Sequence, residues 1–139
     1  MILLDTNVVS ELMRPVPAPA VMSWLAAQPA ASLFISAVTE AELRYGVTLL
    51  PEGRRRADLM AAVDAMLAED FNGRILPFDS AAAVAYAAIA AGRRQEGKPI
   101  SQFDAQIAAI AQSRGAELAT RNVSDFEGCE VEVINPWTA

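Results

Sequence analysis

Met1-Ile2-Leu3-Leu4-Asp5-Thr6-Asn7 opens the chain with an uninterrupted apolar run that stops at an acid, a hydroxyl and an amide. A short continuous apolar run bounded by polar residues reads as a strand buried on both faces and followed by a turn. Four further segments read the same way: Ser32-Leu33-Phe34-Ile35, Arg74-Ile75-Leu76, Glu117-Leu118-Ala119 and Val131-Glu132-Val133-Ile134. Helical patterns fill most of the gaps between them. Strands separated by helices are best joined as a parallel sheet with right-handed crossovers. The expected fold is α/β, with a central parallel sheet of four to five strands flanked by helices on both faces. The last two strands are joined by only a short loop.

Caps and breakers place the helices. The first is expected over Asn7–Met13, stopped by Pro15-Val16-Pro17-Ala18-Pro19, and the second over Val21–Ala27, ended at Gln28-Pro29. Ala37–Leu50 is closed by Pro51, and Ala57–Ala68 carries Leu59, Met60, Val63, Met66 and Leu67 on one stripe before a Phe71-Asn72-Gly73 turn. Asp79 opens a long Ala-rich helix running to about Gly92, and Asp104 lies in the first turn of another that ends at Gly115. No repeat and no long linker divides the chain, so one domain over residues 1–139 is expected.

Composition narrows the chemistry. The 139 residues include no His and one Cys, Cys129. Histidine bases, His-containing triads, Cys/His zinc sites and intrachain disulfides are thereby excluded. Hydrophobic residues make up 53%, enough for a packed core, and exclude disorder over most of the chain. The longest apolar run, Ala81–Ala91, falls well short of the ~20 residues that span a bilayer, and the N-terminus lacks a basic leader, so a cytoplasmic protein without a membrane partner is expected. The formal charge of −6 opposes nucleic-acid affinity through bulk charge and leaves a local basic groove open.

What remains is oxygen chemistry. In open parallel sheets ligands bind beyond the carboxyl ends of the strands, where the strand order reverses. Asp5 stands at the first such end. Thr120, Asn122 and Asp125 follow the Glu117–Ala119 strand, and the two clusters face each other if those strands are neighbours. Glu42 lies early in the helix after the second strand and Asp104 in the helix feeding the fourth, so four acids from four segments can converge. Converging carboxylates repel and raise each other's pKa, which a cation relieves. Ligands made only of oxygen select hard ions such as Mg²⁺ or Mn²⁺. Such ions serve hydrolysis at phosphorus.

The order and spacing of Leu3-Leu4-Asp5-Thr6-Asn7, Ser36 with Glu42-Leu43 and Gly46, Ser101 with Asp104-Ala105-Gln106-Ile107-Ala108-Ala109, and Thr120-Arg121-Asn122 running to Asp125-Phe126 resemble the PIN-domain family, specifically its VapC-type toxins. The resemblance covers nearly the whole chain. It implies a metal-dependent ribonuclease toxin using Mg²⁺ or Mn²⁺. Asp5, Glu42, Asp104 and Asp125 would form its acidic metal site, with Thr6, Asn7, Thr120 and Asn122 in support. Many members carry an acid where this chain has Asn122. The resemblance further implies an RNA substrate, products with 5′-phosphate ends, a small DNA-binding antitoxin and self-association into dimers or a higher assembly.

Plainer readings stand beside these. Asp5 can cap the first helix, Glu42 completes a Thr39-Glu40-Ala41-Glu42 capping box, Asp104 suits a helix N-terminus, and Asn122–Asp125 reads as an ordinary turn. Asp79 reads as a cap and Glu40 as solvated. Arg54-Arg55-Arg56, like Arg93, Arg94 and Lys98, forms either a solvated face or part of a nucleic-acid path. Cys129, Trp24 and Trp137 read as packing residues. Three other classes fit a small acidic α/β chain. A Mg²⁺-binding receiver would need a lysine after a late strand, whereas Lys98, the one Lys, precedes a helix. A dehalogenase-type phosphatase would need a second acid at Asn7. A partner-binding module without activity would not need the acids at all.

Overall fold

The computed structural model describes all residues, Met1 to Ala139. Five strands, β1 (Ile2–Leu4), β2 (Leu33–Ser36), β3 (Ile75–Leu76), β4 (Glu117–Ala119) and β5 (Val133–Ile134), form one sheet in the order β3-β2-β1-β4-β5. Every pair is parallel. Ile2 is in register with Leu33 on one side and Glu117 on the other, so β1 and β4 are neighbours. The chain builds outward from β1 in both directions, and the order reverses there.

Six helices cover the sheet: α1 (Thr6–Leu12), α2 (Pro19–Ala26), α3 (Ala37–Thr48), α4 (Arg54–Ala65), α5 (Ser80–Gln95) and α6 (Gln102–Arg114). Strand residues alternate between two cores, as a two-residue period requires. Leu3 and Leu118 enter a core with Ile89, Ile107 and Ile110 of α5 and α6. Ile2, Leu4 and Ala119 enter the other, with Val8, Val9, Leu43 and Val63 of α1, α3 and α4. Both faces are therefore covered, as expected. No helix is long and apolar enough to cross a membrane.

The expected elements are present, with shifted ends. Pro19, expected only to stop α1, is the first residue of α2, where its missing N–H costs nothing. The α4 helix starts a turn early at Arg54, and Met66–Asp70 follows as a wider π-type turn. Asp79 caps α5 by accepting from the Ala82 N–H at 3.0 Å, and Gly115 ends α6 at φ 64°, the left-handed conformation that favours glycine. One local expectation fails. The N-cap of α3 is Ser36, whose hydroxyl accepts from the Thr39 N–H at 3.0 Å, so Thr39 lies inside the first turn and no Thr39–Glu42 capping box forms. Glu42 sits a turn further into the helix, free to point elsewhere.

Candidate active site

Asp5 leaves the carboxyl end of β1 and is only 5% exposed. Its Oδ1 accepts from the Thr6 N–H at 2.8 Å, capping α1, while Oδ2 accepts from the Thr120 hydroxyl at 2.7 Å. Cap and site residue are thus the same side chain. Thr120, at the end of β4, is fully buried. Its oxygen also accepts from Asn7 Nδ2 at 3.2 Å and from the Asn122 N–H at 3.1 Å. With one bond donated and two accepted, the hydroxyl is saturated. Asn7 Oδ1 accepts from the Arg121 N–H at 3.3 Å. This network sews the loop after β4 to the first turn of α1.

Glu42 is oriented by a chain of hydroxyls. Thr6 donates to Glu42 Oε1 at 2.7 Å and lies 3.0 Å from the Thr39 hydroxyl, to which Ser36 donates at 3.3 Å. A carboxylate only accepts, so it fixes the sense: Ser36 to Thr39, Thr39 to Thr6, Thr6 to Glu42. Asp104 enters from α6, half-buried, with its N–H donating to the capping Ser101 hydroxyl at 3.2 Å.

Asp5, Glu42 and Asp104 line one pocket of about 460 Å³, together with Thr6, Asn7, Ser10, Glu11, Arg14 and Asn122, and no lining residue is apolar. Burial pushes the Asp5 carboxyl up to about 6; the Thr120 and Thr6 hydrogen bonds oppose this, and repulsion by Asp104 and Glu42 adds to it. The Asp104 carboxyl is also raised, first by burial and then by Asp125, against the Ser101 contact and Arg93. Burial therefore outweighs the repulsion that sequence reasoning put first.

Three of the four expected acids share the pocket. Asp125 does not line it. It is exposed on a short 3₁₀ turn, Val123–Phe126, and acts on Asp104 only through its charge. No three carboxylates stand close enough to enclose an ion by themselves. The donor set still fits a hard cation, because Mg²⁺ keeps several waters and binds through one or two carboxylates. Glu11 was not anticipated. It is buried, accepts from the Ala18 N–H at 2.9 Å and anchors the start of α2. Its signal was available: Thr6, Asn7, Ser10 and Glu11 form a polar stripe at helical spacing on a helix otherwise made of Val8, Val9 and Leu12.

The PIN domain family profile matches residues 2–127. This chain belongs to the PIN-domain family. Its relatives include the "VapC ribonuclease Y4jK" of Sinorhizobium fredii, 42% identical over 99% of this chain and 98% of that protein. The "Toxin FitB" of Neisseria gonorrhoeae is 42% identical over 99% of each. The crystal structure of FitAcB from Neisseria gonorrhoeae superposes with a TM-score of 0.93 at 42% identity, covering 100% of both chains. A second, of FitAB bound to a DNA fragment, gives 0.92 at 42% identity, over 99% of this chain and 96% of that one.

Other candidates in this PIN domain resolve as packing. Arg93 is buried, and its guanidinium donates to the carbonyls of Lys98 at 2.7 Å, Asp125 at 2.7 Å and Glu127 at 3.0 Å, so it holds the Asp125 turn rather than a nucleic-acid path. Cys129 is fully buried beside it. Trp137 packs under the Arg121 guanidinium, 5.1 Å away, and Trp24 is half-buried against the α1 side of the sheet. Glu40 is partly exposed, as expected, and pairs with Arg44 at 2.9 Å at the surface.

Proposed function

We propose that this PIN domain is the metal-dependent ribonuclease toxin of a toxin–antitoxin pair, hydrolysing RNA phosphodiester bonds with Mg²⁺ or Mn²⁺. The observation that carries the reading is the wholly polar pocket in which Asp5, Glu42 and Asp104 meet from β1, α3 and α6. The relatives named as a VapC ribonuclease and as toxin FitB, alike over the full chain, support it. The solved structures of FitAcB, and of FitAB on DNA, support a small DNA-binding antitoxin as partner.

Asp5 and Asp104 would hold the cation, with Glu42, and Asp125 at longer range, acting through water. Such a cation neutralises phosphate charge and acidifies water. The residues around it have separate tasks. Thr120 and the Thr6 N–H occupy one lone pair on each Asp5 oxygen, which leaves the outward lone pairs for the pocket. The Ser36–Thr39–Thr6 chain ends on Glu42 Oε1 and orients its carboxylate. Asn122, whose N–H is tied to Thr120, places its amide at the pocket edge as a neutral donor for a phosphate oxygen. No histidine is available to activate a 2′-hydroxyl, which favours external water as the attacking group; with O3′ as the leaving group, as the family resemblance implies, the products carry 5′-phosphates.

The test is RNA cleavage by the purified full chain. Excess chelator should abolish it and added Mg²⁺ or Mn²⁺ restore it, with Asp104→Asn inactive in both. Cleavage undiminished in chelator would overturn the metal mechanism.

A further inference from the structure

The acidic pocket continues beyond its acids. Its wall runs along α1 to Ser10 and on to Arg14, two residues beyond the helix, and both residues also line a second cleft of about 630 Å³ whose far side is Arg54, Arg55 and Asp58 of α4.

The cations of this cleft are only loosely neutralised within the chain. Arg44 is engaged with Glu40 and Asp64, Arg114 with Asp79, and Arg74 and Arg93 with backbone carbonyls, whereas Arg56 and Arg94, outside the cleft, have no ion-pair partner. In the cleft, Arg54 reaches Asp58 only at 3.9 Å with both side chains exposed, and Arg14 reaches Glu11 at 3.4 Å. Arg55 has no acidic partner within salt-bridge distance. The positions are also unfavourable for the helix. Arg54 and Arg55 occupy the first turn of α4, which has no side-chain cap and no acid, so their charges oppose the helix dipole. Helix stability does not account for placing them there, whereas an anion from outside the chain does.

We propose that this cleft is a phosphate track, holding the backbone of single-stranded RNA beside the acidic pocket, with Arg14, Arg54 and Arg55 as positioning residues. The inference rests on the ribonuclease reading. A cation between Asp5 and Asp104 serves one phosphate. For the neighbouring phosphates of the same strand, Arg14 is the one cation on the pocket lining, and it is the residue that leads into the cleft. An acidic polypeptide is the competing occupant, but its charges have no reason to continue into a pocket of acids.

The experiment measures binding of a fluorescein-labelled, mixed-sequence single-stranded RNA to the full chain by anisotropy across a salt series, with Asp104→Asn as the background to prevent cleavage. Each phosphate contact on a single strand contributes ~0.7 to the slope of log affinity against log salt, so Arg54→Ala with Arg55→Ala should lower that slope by about 1.4. The same double variant should melt no lower than its parent, because it removes charges that oppose the α4 dipole. Arg56→Ala, which removes one charge from the same turn but does not line the cleft, should leave the slope unchanged, whereas Arg54→Ala and Arg55→Ala singly should each lower it by about 0.7. An unchanged slope in the double variant overturns the track, as does a fall with Arg56→Ala equal to that of either single variant. Loss of binding to polyglutamate without loss of RNA binding assigns the surface to an acidic polypeptide instead. A wild-type chain that neither binds nor cleaves RNA defeats the ribonuclease reading itself; one that cleaves while the double variant binds unimpaired defeats the track alone.

Discussion

Asp5 carries the largest electrostatic cost in the molecule. Its carboxyl is raised to about 6 in the fold from 3.8, with burial as the first cause. A folded-state value above the unfolded one means that the native chain binds the extra proton between those pH values. Stability from this residue is therefore fully present below pH 3.8 and lost as the pH rises through about 6. The loss is on the order of 3 kcal/mol. In chelator, urea unfolding of the wild type should show this decline between pH 4 and 7, and in Asp5→Asn it should shrink to the part that the raised Asp104 carboxyl supplies. The variant will not be free of cost, because its amide N–H₂ would face either the Thr6 N–H or a Thr120 oxygen that already accepts twice. An orphaned donor there costs about 1–3 kcal/mol. The pH slope, not the absolute stability, identifies Asp5. Equal slopes in the two proteins would place the titration elsewhere.

Helix starts set where the acids point, and here the sequence was only partly readable. The strands were legible because short apolar runs ended in polar turns, and Asp5, Asp79 and Asp104 were legible because each stands where a helix must begin. For α3 both Ser36 and Thr39 are acceptable caps, and local chemistry does not choose between them. The choice is made by β2, which runs through Ser36 with that residue fully buried, leaving its hydroxyl as the available cap. Strand order, and hence the meeting of Asp5 with Thr120, depends on tertiary pairing that no local pattern encodes. The position of Asp125 outside the pocket lining was illegible for the same reason: its turn is held by Arg93, a buried residue that reads as surface in the sequence. The α3 start yields a test. Ser36→Ala should destabilise the protein by about 1–2 kcal/mol as a lost cap, whereas Glu42→Gln should stay within about 0.5 kcal/mol of wild type yet lose cleavage. A capping-box glutamate would show the converse, with stability falling on Glu42→Gln.

The site lies where the two layers of the molecule meet. Glu42 belongs to α3, whose Leu43 and Val47 enter one core; Asp104 belongs to α6, whose Ile107 and Ile110 enter the other; Asp5 ends the strand between them. A cation held by Asp5 and Asp104, as proposed, would tie the sheet to α6 and bind only the folded chain. At a free concentration a hundredfold above its dissociation constant it would add about 2.7 kcal/mol, which in a domain of this size would raise the melting temperature by something on the order of 10 °C. Asp104→Asn should forfeit most of that gain. In chelator the same variant should melt close to wild type or slightly above it, since it removes a half-buried charge repelled by Asp125 and keeps the backbone cap from Ser101. Asp79→Asn is the matched control. It stands at another helix start, caps Ala82 outside the pocket, and should keep the full response to Mg²⁺. Thermal melts of the three proteins, in chelator and in saturating Mg²⁺ at fixed ionic strength, separate the possibilities. If Asp104 served only its helix, its variant would melt lower without metal and gain as much as wild type with it, and the cation would have to be sought away from the end of β1.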